Sequence, residues 1–227
     1  MSEAIGQRDD PTGVRGEHRT DDLRPATDAA RRAPHRIVVV GTTGSGKTTT
    51  ARRIGEIIGA PHVELDALHW EADWTEADTE TFRRRIIEAT AGERWVVDGN
   101  YAKGRDLVWP RAELIVWLDY SIARIFRHLF FRTTRRIVTQ EELWAGNRER
   151  FRTGFMSRES LFVWALQTHW KKRKNYPPAF ASPELAHVRV VRLRSPRATA
   201  AFLHRLAARQ EEQEAERSET TAREAGG

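Results

Sequence analysis

The chain of 227 residues carries 38 Lys and Arg against 32 Asp and Glu, a formal charge of +6, and its sequence pI is about 10.1. It holds no cysteine, which excludes disulfide scaffolds and thiolate metal centres. No apolar run approaches membrane-spanning length and no apolar signal core follows Met1, so a cytoplasmic protein with no membrane partner is expected. The positive balance suits polyanions, nucleotides ahead of nucleic acid.

Residues 1–34 are polar and rich in Asp, Arg, Gly, Pro and Thr, which reads as a disordered N-terminal tail. Residues 35–209 form the expected single domain, and 210–227 a charged C-terminal tail with no apolar face. The domain opens on an apolar strand at 36–40, then Gly41-Thr42-Thr43-Gly44-Ser45-Gly46-Lys47-Thr48, then a helix over 47–58. That is the strand, loop and helix order of a P-loop, with the spacing G-x-x-x-x-G-K-[ST] complete. The three glycines let successive backbone N–H groups turn towards a phosphate. The helix N-terminus presents unpaired donors and its positive dipole end to the same anion. Lys47 adds a mobile charge for the β- and γ-phosphates, and Thr48 a hydroxyl for Mg²⁺. The nine residues from Gly41 to Thr49 are the expected ATP-binding set.

Further strands are expected at 62–65, 94–98, 113–118 and 187–193, and helices at 76–91, 121–138, 157–172 and 196–209. Apolar runs separated by helical patterns argue for an α/β fold, a five-stranded parallel sheet with helices on both faces. Ligands in such sheets sit at the carboxyl ends of the strands, which makes the residues there site candidates. After 62–65 come Asp66, His69 and Trp70, with Trp74 beyond. Asp66 is placed to contact or deprotonate an acceptor hydroxyl, His69 to meet a substrate phosphate, and the tryptophans to stack on a ring. After 94–98 come Asp98, Gly99, Asn100 and Tyr101. Asp98 ends a buried run as a Mg²⁺-organising carboxylate should, Gly99 permits close approach, and Asn100 and Tyr101 would face the acceptor. Asp119, after 113–118, is assigned to the turn before a helix capped by Ser121.

The helix at 121–138 has one apolar side and one basic side, with Arg132, Arg135 and Arg136 towards its end. The stretch at about 139–156 holds Gly146, Arg148, Arg152 and Gly154 and has the make-up of a closing lid that excludes water from a reactive phosphate. Its arginines, with Arg132 and Arg136, would balance charge on the transferred phosphoryl. The run Lys171-Lys172-Arg173-Lys174 ends a helix, where cations suit the dipole. It also offers a patch for phosphate or nucleic acid. Ser195 and Pro196 cap and open the last helix.

Together the P-loop, Leu65-Asp66-Ala67-Leu68-His69-Trp70 with Trp74, Trp95-Val96-Val97-Asp98-Gly99-Asn100-Tyr101, Trp117-Leu118-Asp119-Tyr120 and Leu193-Arg194-Ser195-Pro196-Arg197 resemble bacterial P-loop kinase-like proteins. These are the FlaR-related "DNA topology modulation" or adenylate-kinase-like proteins, and the resemblance covers about His35 to Leu206. It implies a three-layer P-loop NTPase fold like that of nucleoside monophosphate kinases, with a core sheet, an acceptor flap and a lid. It also implies ATP at Gly41–Thr48, Mg²⁺ near Thr48 and Asp98, and phosphate-binding arginines at the base of the lid. Adenylate kinases carry Asp-Gly-Phe-Pro-Arg where this chain has Asp98-Gly99-Asn100-Tyr101, with no arginine before Arg105, a departure that counts against AMP as the acceptor. The expected activity is transfer of the ATP γ-phosphoryl to a nucleotide, nucleoside or other small hydroxyl compound. The alternative from another class is an ATP-binding regulatory protein that contacts DNA or a partner through its basic surface with little turnover.

Overall fold

The computed structural model describes Asp21–Asp22, residues 33–139, Ala145 and residues 161–225; of residues 21, 22, 136, 137, 161–163, 224 and 225 only the backbone is described. One mixed sheet contains β1 (Asp21–Asp22), β2 (Arg36–Gly41), β3 (His62–Glu64), β4 (Trp95–Asp98), β5 (Leu114–Leu118) and β6 (Arg189–Leu193). Their order is β1-β6-β5-β2-β4-β3, and all neighbours but one are parallel. The exception is β1, which lies antiparallel on β6 with Asp21 opposite Arg192. In the middle, Val38 of β2 stands between Val97 of β4 and Ile115 of β5.

The helices are α1 (Lys47–Ile58), α2 (Leu65–His69), α3 (Thr79–Ala89), α4 (Arg105–Val108), α5 (Ile122–Thr139), α6 (Leu161–Phe180) and α7 (Pro196–Ala225). Side chains alternate along a strand, so each strand feeds two cores. On one face Val38, Val40, Trp95, Val97, Ile115, Trp117 and Val190 pack with Phe82 and Ile86 of α3. On the other, Ile37, Val39, Val96, Leu114, Val116 and Leu118 pack with Ile54 and Ile58 of α1, Ile125 and Leu129 of α5, and Phe202 and Leu206 of α7. Burial on both faces is why the parallel strands read as unbroken apolar runs.

Helix α6 belongs to both cores. Ala165 joins the α1 side, whereas Tyr176 and Phe180 join the α3 side. Between them the helix strides over the carboxyl edge of the sheet, where Gly41, Asp98 and Leu118 end their strands. Helix α6 runs eight residues past its expected end at 172, through Pro177 and Pro178. Tyr176 and Phe180 lie against Trp109 and Trp117 at centroid separations of 5.3–5.8 Å. That aromatic packing overrides the cost of proline in a helix.

Two findings concern the tails. Asp21 and Asp22, within the stretch expected to be disordered, form the sheet edge. Residues 210–225, the charged C-terminal stretch, prolong α7. They are rich in good helix formers, and Gln210 Nε2 donates to Glu214 Oε1 at 2.9 Å, an i,i+4 pairing that supports a helix without an apolar face. The expected lid lies outside the described residues apart from its first residue, Thr139, and Ala145. No helix among the described residues is long and apolar enough to cross a membrane.

Asp119 follows β5 and is 4% exposed. It accepts from Arg173 Nε of α6 at 2.6 Å and from the Arg192 guanidinium of β6, with Nε at 2.9 Å. Replacing it by Ala leaves two cations facing a buried gap. Because both arginines are partly exposed, the expected loss is about 2–3 kcal/mol, read as a lower urea midpoint at unchanged slope.

Candidate functional site

The loop between β2 and α1 is shaped by glycine. Gly44 and Gly46 have φ of 81° and 85°, a left-handed conformation costly for other residues. A Cβ on Gly44 would stand 2.5 Å from Leu129 Cγ, so α5 packs directly on the loop backbone. Helix α1 begins at Lys47, and the loop N–H groups precede its N-terminus. Ser45 N donates to Thr42 O at 3.0 Å, and Lys47 Nζ donates to the same carbonyl at 3.4 Å. Burial lowers the Lys47 pKa, opposed by Asp66 and Asp98 and aided by Arg132. Thr43 is half-buried and Thr49 exposed.

Two histidines that sequence reasoning did not single out touch this loop. His128 of α5 donates from Nδ1 to Gly44 O at 2.7 Å, and His169 Nδ1 of α6 lies 3.4 Å from Thr42 Oγ1. Burial lowers the His169 pKa, so the ring is neutral at neutral pH.

Thr48 Oγ1 lies 2.9 Å from Asp98 Oδ2 and 3.1 Å from Glu64 Oε1. The strand ends of β4 and β3 are in register here, Glu64 opposite Asp98, so the two carboxylates meet the first turn of α1. Asp98 is 2% exposed, and its Oδ1 pairs with His62 Nε2 at 2.8 Å. Glu64 and His62 went unnoticed in the sequence. The available signal was their period-two spacing with Asp66, which puts alternate side chains of β3 on the site's side.

Beyond β3, Asp66 is the second residue of α2 and accepts from Tyr101 OH at 2.5 Å. Burial, then the Asp66 charge, push the Tyr101 phenol well above the usual tyrosine range, so it remains a donor. A Cβ on Gly99 would meet Leu65 Cβ at 2.7 Å, so this glycine allows the β4 loop to lie on α2. Trp70 is half-buried and edge-on to Trp74 at 5.6 Å.

Asn100 and His69 are placed differently from expectation. Asn100 does not face outwards to an acceptor; its Nδ2 donates to Gly41 O at 2.6 Å, and its Oδ1 accepts from Gly41 N at 3.2 Å and from Tyr176 OH at 2.8 Å. His69 is 3% exposed and enclosed by Trp70, Phe82 and Tyr101. Burial lowers its pKa, and its Nε2 is 3.4 Å from Glu76 Oε2. Both residues are engaged within the protein, Asn100 on the loop and His69 as a wall behind Tyr101.

Of the expected arginines, Arg132 is half-buried on α5 within the electrostatic reach of Lys47. Arg136 lies on α5, and Arg148 and Arg152 fall outside the described residues. The basic run divides: Lys172 Nζ donates to Gly41 O at 3.1 Å and Arg173 pairs with Asp119, while Lys171 and Lys174 are exposed.

No family model matches the chain, so the FlaR-related resemblance rests on the quoted residues alone. It is 33% identical over 91 residues to the ATP-dependent protease ATPase subunit HslU of Bacillus cytotoxicus, covering 38% of this chain and 19% of that protein. With the same subunit of Bacillus mycoides it shares 36% over 59 residues, 26% of this chain and 13% of that one. The chain thus spans less than a fifth of the length of these curated relatives. Among solved structures it is similar to a gluconokinase from Sinorhizobium meliloti, at 24% identity and a TM-score of 0.44, covering 80% of this chain and 98% of that one. It is also similar to shikimate kinase from Bacteroides thetaiotaomicron, at 17% identity and a TM-score of 0.48, covering 79% and 99%. At that level of likeness neither neighbour's activity transfers to this chain.

Asn100→Ala removes three hydrogen bonds that tie β4, β2 and α6 together. It is expected to cost about 2 kcal/mol of stability and to speed amide hydrogen exchange across Gly41–Gly46. Tyr176→Phe, which removes one of the three, should cost about 1 kcal/mol.

Proposed function

We propose that the protein is a Mg²⁺·ATP-dependent phosphotransferase of the nucleoside- and nucleotide-kinase type, moving the ATP γ-phosphoryl to a small acceptor. The observation that carries this reading is the meeting of Thr48, Asp98 and Glu64 at the start of α1, with Asp66 at the start of α2 beside them. A P-loop alone states phosphate binding. A hydroxyl and two carboxylates at its helix add a cation, and a third carboxylate held by a tyrosine adds a partner for an acceptor hydroxyl.

The loop amides and Lys47 would hold the β- and γ-phosphates. Thr48 Oγ1 and Asp98, with Glu64 beside them, are the hard oxygen donors that suit Mg²⁺, and the ion when bound supplies charge neutralisation across the phosphates. No group of three or more His, Asp or Glu side chains able to hold a metal by itself occurs among the described residues. Mg²⁺ at kinase sites takes one or two protein oxygens beside phosphate and water. His62 would keep the Asp98 carboxylate aimed at Thr48.

Asp66 would accept the proton of the attacking hydroxyl as its oxygen bonds to the γ-phosphorus and the bond to the β–γ bridging oxygen breaks, releasing ADP. Tyr101 would orient Asp66 through the 2.5 Å hydrogen bond. Catalysis of this kind is mainly positioning and charge stabilisation. Arg132, with Arg136, Arg148 and Arg152, is the proposed source of cations on the transferred group. Folding the FlaR-related resemblance into this reading leaves its DNA-topology label without a residue-level mechanism, since two members of the basic run are turned inwards to Gly41 and Asp119.

A panel of nucleosides, nucleotides and small alcohols is expected to contain an acceptor that stimulates ADP release from Mg²⁺·ATP. A panel without one sinks the proposal. With that acceptor, Asp66→Asn should lower kcat by about 10²-fold or more and leave ATP affinity intact, measured by equilibrium nucleotide binding. Thr48→Ala should instead weaken Mg²⁺-dependent ATP binding while leaving metal-free binding unchanged.

A further inference from the structure

The short segment from Asp98 to Tyr101 bonds to three separate parts of the site. Asp98 Oδ2 accepts from Thr48 Oγ1 at 2.9 Å, at the end of the phosphate loop. Asn100 holds Gly41, at the start of the same loop, by both backbone groups. Tyr101 donates to Asp66 at 2.5 Å. The segment therefore touches the loop at both of its ends and also carries the tyrosine that holds the proposed base.

The Asn100 contact takes the place of a ladder step. Strand β2 pairs with β5 as far as Gly41 opposite Leu118, but its pairing with β4 stops at Val39 opposite Asp98. Past that point the β4 chain turns away towards α2, where a Cβ on Gly99 would meet Leu65 Cβ at 2.7 Å. Without Asn100 the Gly41 N–H and C=O would lack a neighbour on the β4 side. A carboxamide presents an acceptor and a donor side by side, as a strand does. The amide has one fitting orientation, because turning it over sets NH₂ against the Gly41 N–H and oxygen against the Gly41 carbonyl. Its Oδ1 also accepts from Tyr176 OH at 2.8 Å. Tyr176 is buried, with its ring edge-on to Trp109 and Trp117, so that hydroxyl is itself fixed. The Asp-Gly-Phe-Pro-Arg element of adenylate kinases has phenylalanine at this position, a side chain that can make none of these bonds.

We propose that Asn100, held by Tyr176, is a positioning residue for phosphoryl transfer, fixing the distance between the phosphate loop and the Tyr101–Asp66 pair. This rests on the phosphotransferase reading and deepens it: the loop holds the donor phosphate and Asp66 the acceptor hydroxyl. In-line transfer depends on where those two stand relative to each other, and a misplacement of about 1 Å costs about 10²-fold in rate. Asn100 touches neither reactant; it acts through Gly41 on one side and Tyr101 on the other. A nucleotide that orders the loop also orders the segment from Gly99 to Gly104 through the same bonds.

The first test needs no acceptor. Amide hydrogen exchange of the full chain is followed with and without saturating Mg²⁺·ADP. In the wild type, ADP should slow exchange at least about fivefold both in Gly41–Lys47 and in Gly99–Gly104. In Asn100→Ala the slowing should persist in the loop and fall below about twofold in Gly99–Gly104. Tyr176→Phe, which keeps the ring packing, should give an intermediate fall. Thr90→Ala loses side-chain hydrogen bonds to Ile86 O and Arg111 beyond the end of α3, and should keep the wild-type pattern. The second test uses an acceptor that stimulates ADP release. Asn100→Ala should lower kcat about 10- to 100-fold while KM for ATP and for the acceptor each stay within about threefold. Tyr176→Phe should lower kcat less, and Thr90→Ala not at all. Protection confined to the loop in the wild type, or undiminished protection of Gly99–Gly104 in Asn100→Ala, overturns the positioning role. An equal loss of kcat in Thr90→Ala overturns it as well, since that marks a general effect of stability. ADP release with undiminished kcat in Asn100→Ala overturns the role and leaves phosphotransfer standing. The expected exchange pattern with no ADP release for any acceptor keeps the link between loop and segment and overturns phosphotransfer.

Discussion

Both backbone groups of Gly41 are read by a single side chain, the Asn100 carboxamide. A strand that ends in a phosphate loop has an awkward terminus, because its last N–H and C=O run beyond the sheet ladder. The amide of Asn100 closes that terminus from β4, and the Tyr176 hydroxyl holds the amide from α6. The loop, the β4 end carrying Asp98 and Tyr101, and the helix carrying Lys172 are thereby one assembly. Each candidate chemical group sits on a member of it or on an immediate neighbour in the sheet.

Much of this was legible in the chain. The P-loop was readable because a complete spacing pattern sat between an apolar strand and a helix. The sheet was readable because strands buried on both faces leave continuous apolar runs, as Ile37-Val38-Val39-Val40 and Leu114-Ile115-Val116-Trp117 do. Asp66 and Asp98 were singled out through the rule that ligands gather at carboxyl strand ends. What was not legible depended on tertiary partners far away in sequence. Nothing local distinguishes an Asn that faces a cleft from one that clamps a strand, and the partners of Asn100 are 59 and 76 residues distant.

The same limit explains the other departures. Lys172 and Arg173 read as part of a run of four cations that suits a helix end or offers a patch for phosphate or nucleic acid. The helix continued instead, since Trp109 and Trp117 offered Tyr176 and Phe180 a buried aromatic surface. Continuation turned two of the four cations inwards, one to the loop and one to Asp119. His69 illustrates the opposite error of reading. A histidine near a strand end looks available for phosphate, but its neighbours Phe82 and Tyr101 enclose it from other elements. Glu64 and His62 were missed because neither belongs to a recognisable signature, although the alternation of β3 places both beside Thr48 and Asp98.

The crossing of α6 has a further consequence for how the chain is built. Gly41 is an early residue, yet Lys172 lies 131 residues later, and the contact of His169 with Thr42 spans 127. A chain emerging in order during synthesis holds the whole P-loop sequence long before these residues exist. Until α6 is complete, the loop lacks Lys172 at its first carbonyl and the Tyr176 support for Asn100. Completion of the loop's contacts is therefore a late event in the biogenesis of this protein, and their high sequence separation is of the kind that slows folding.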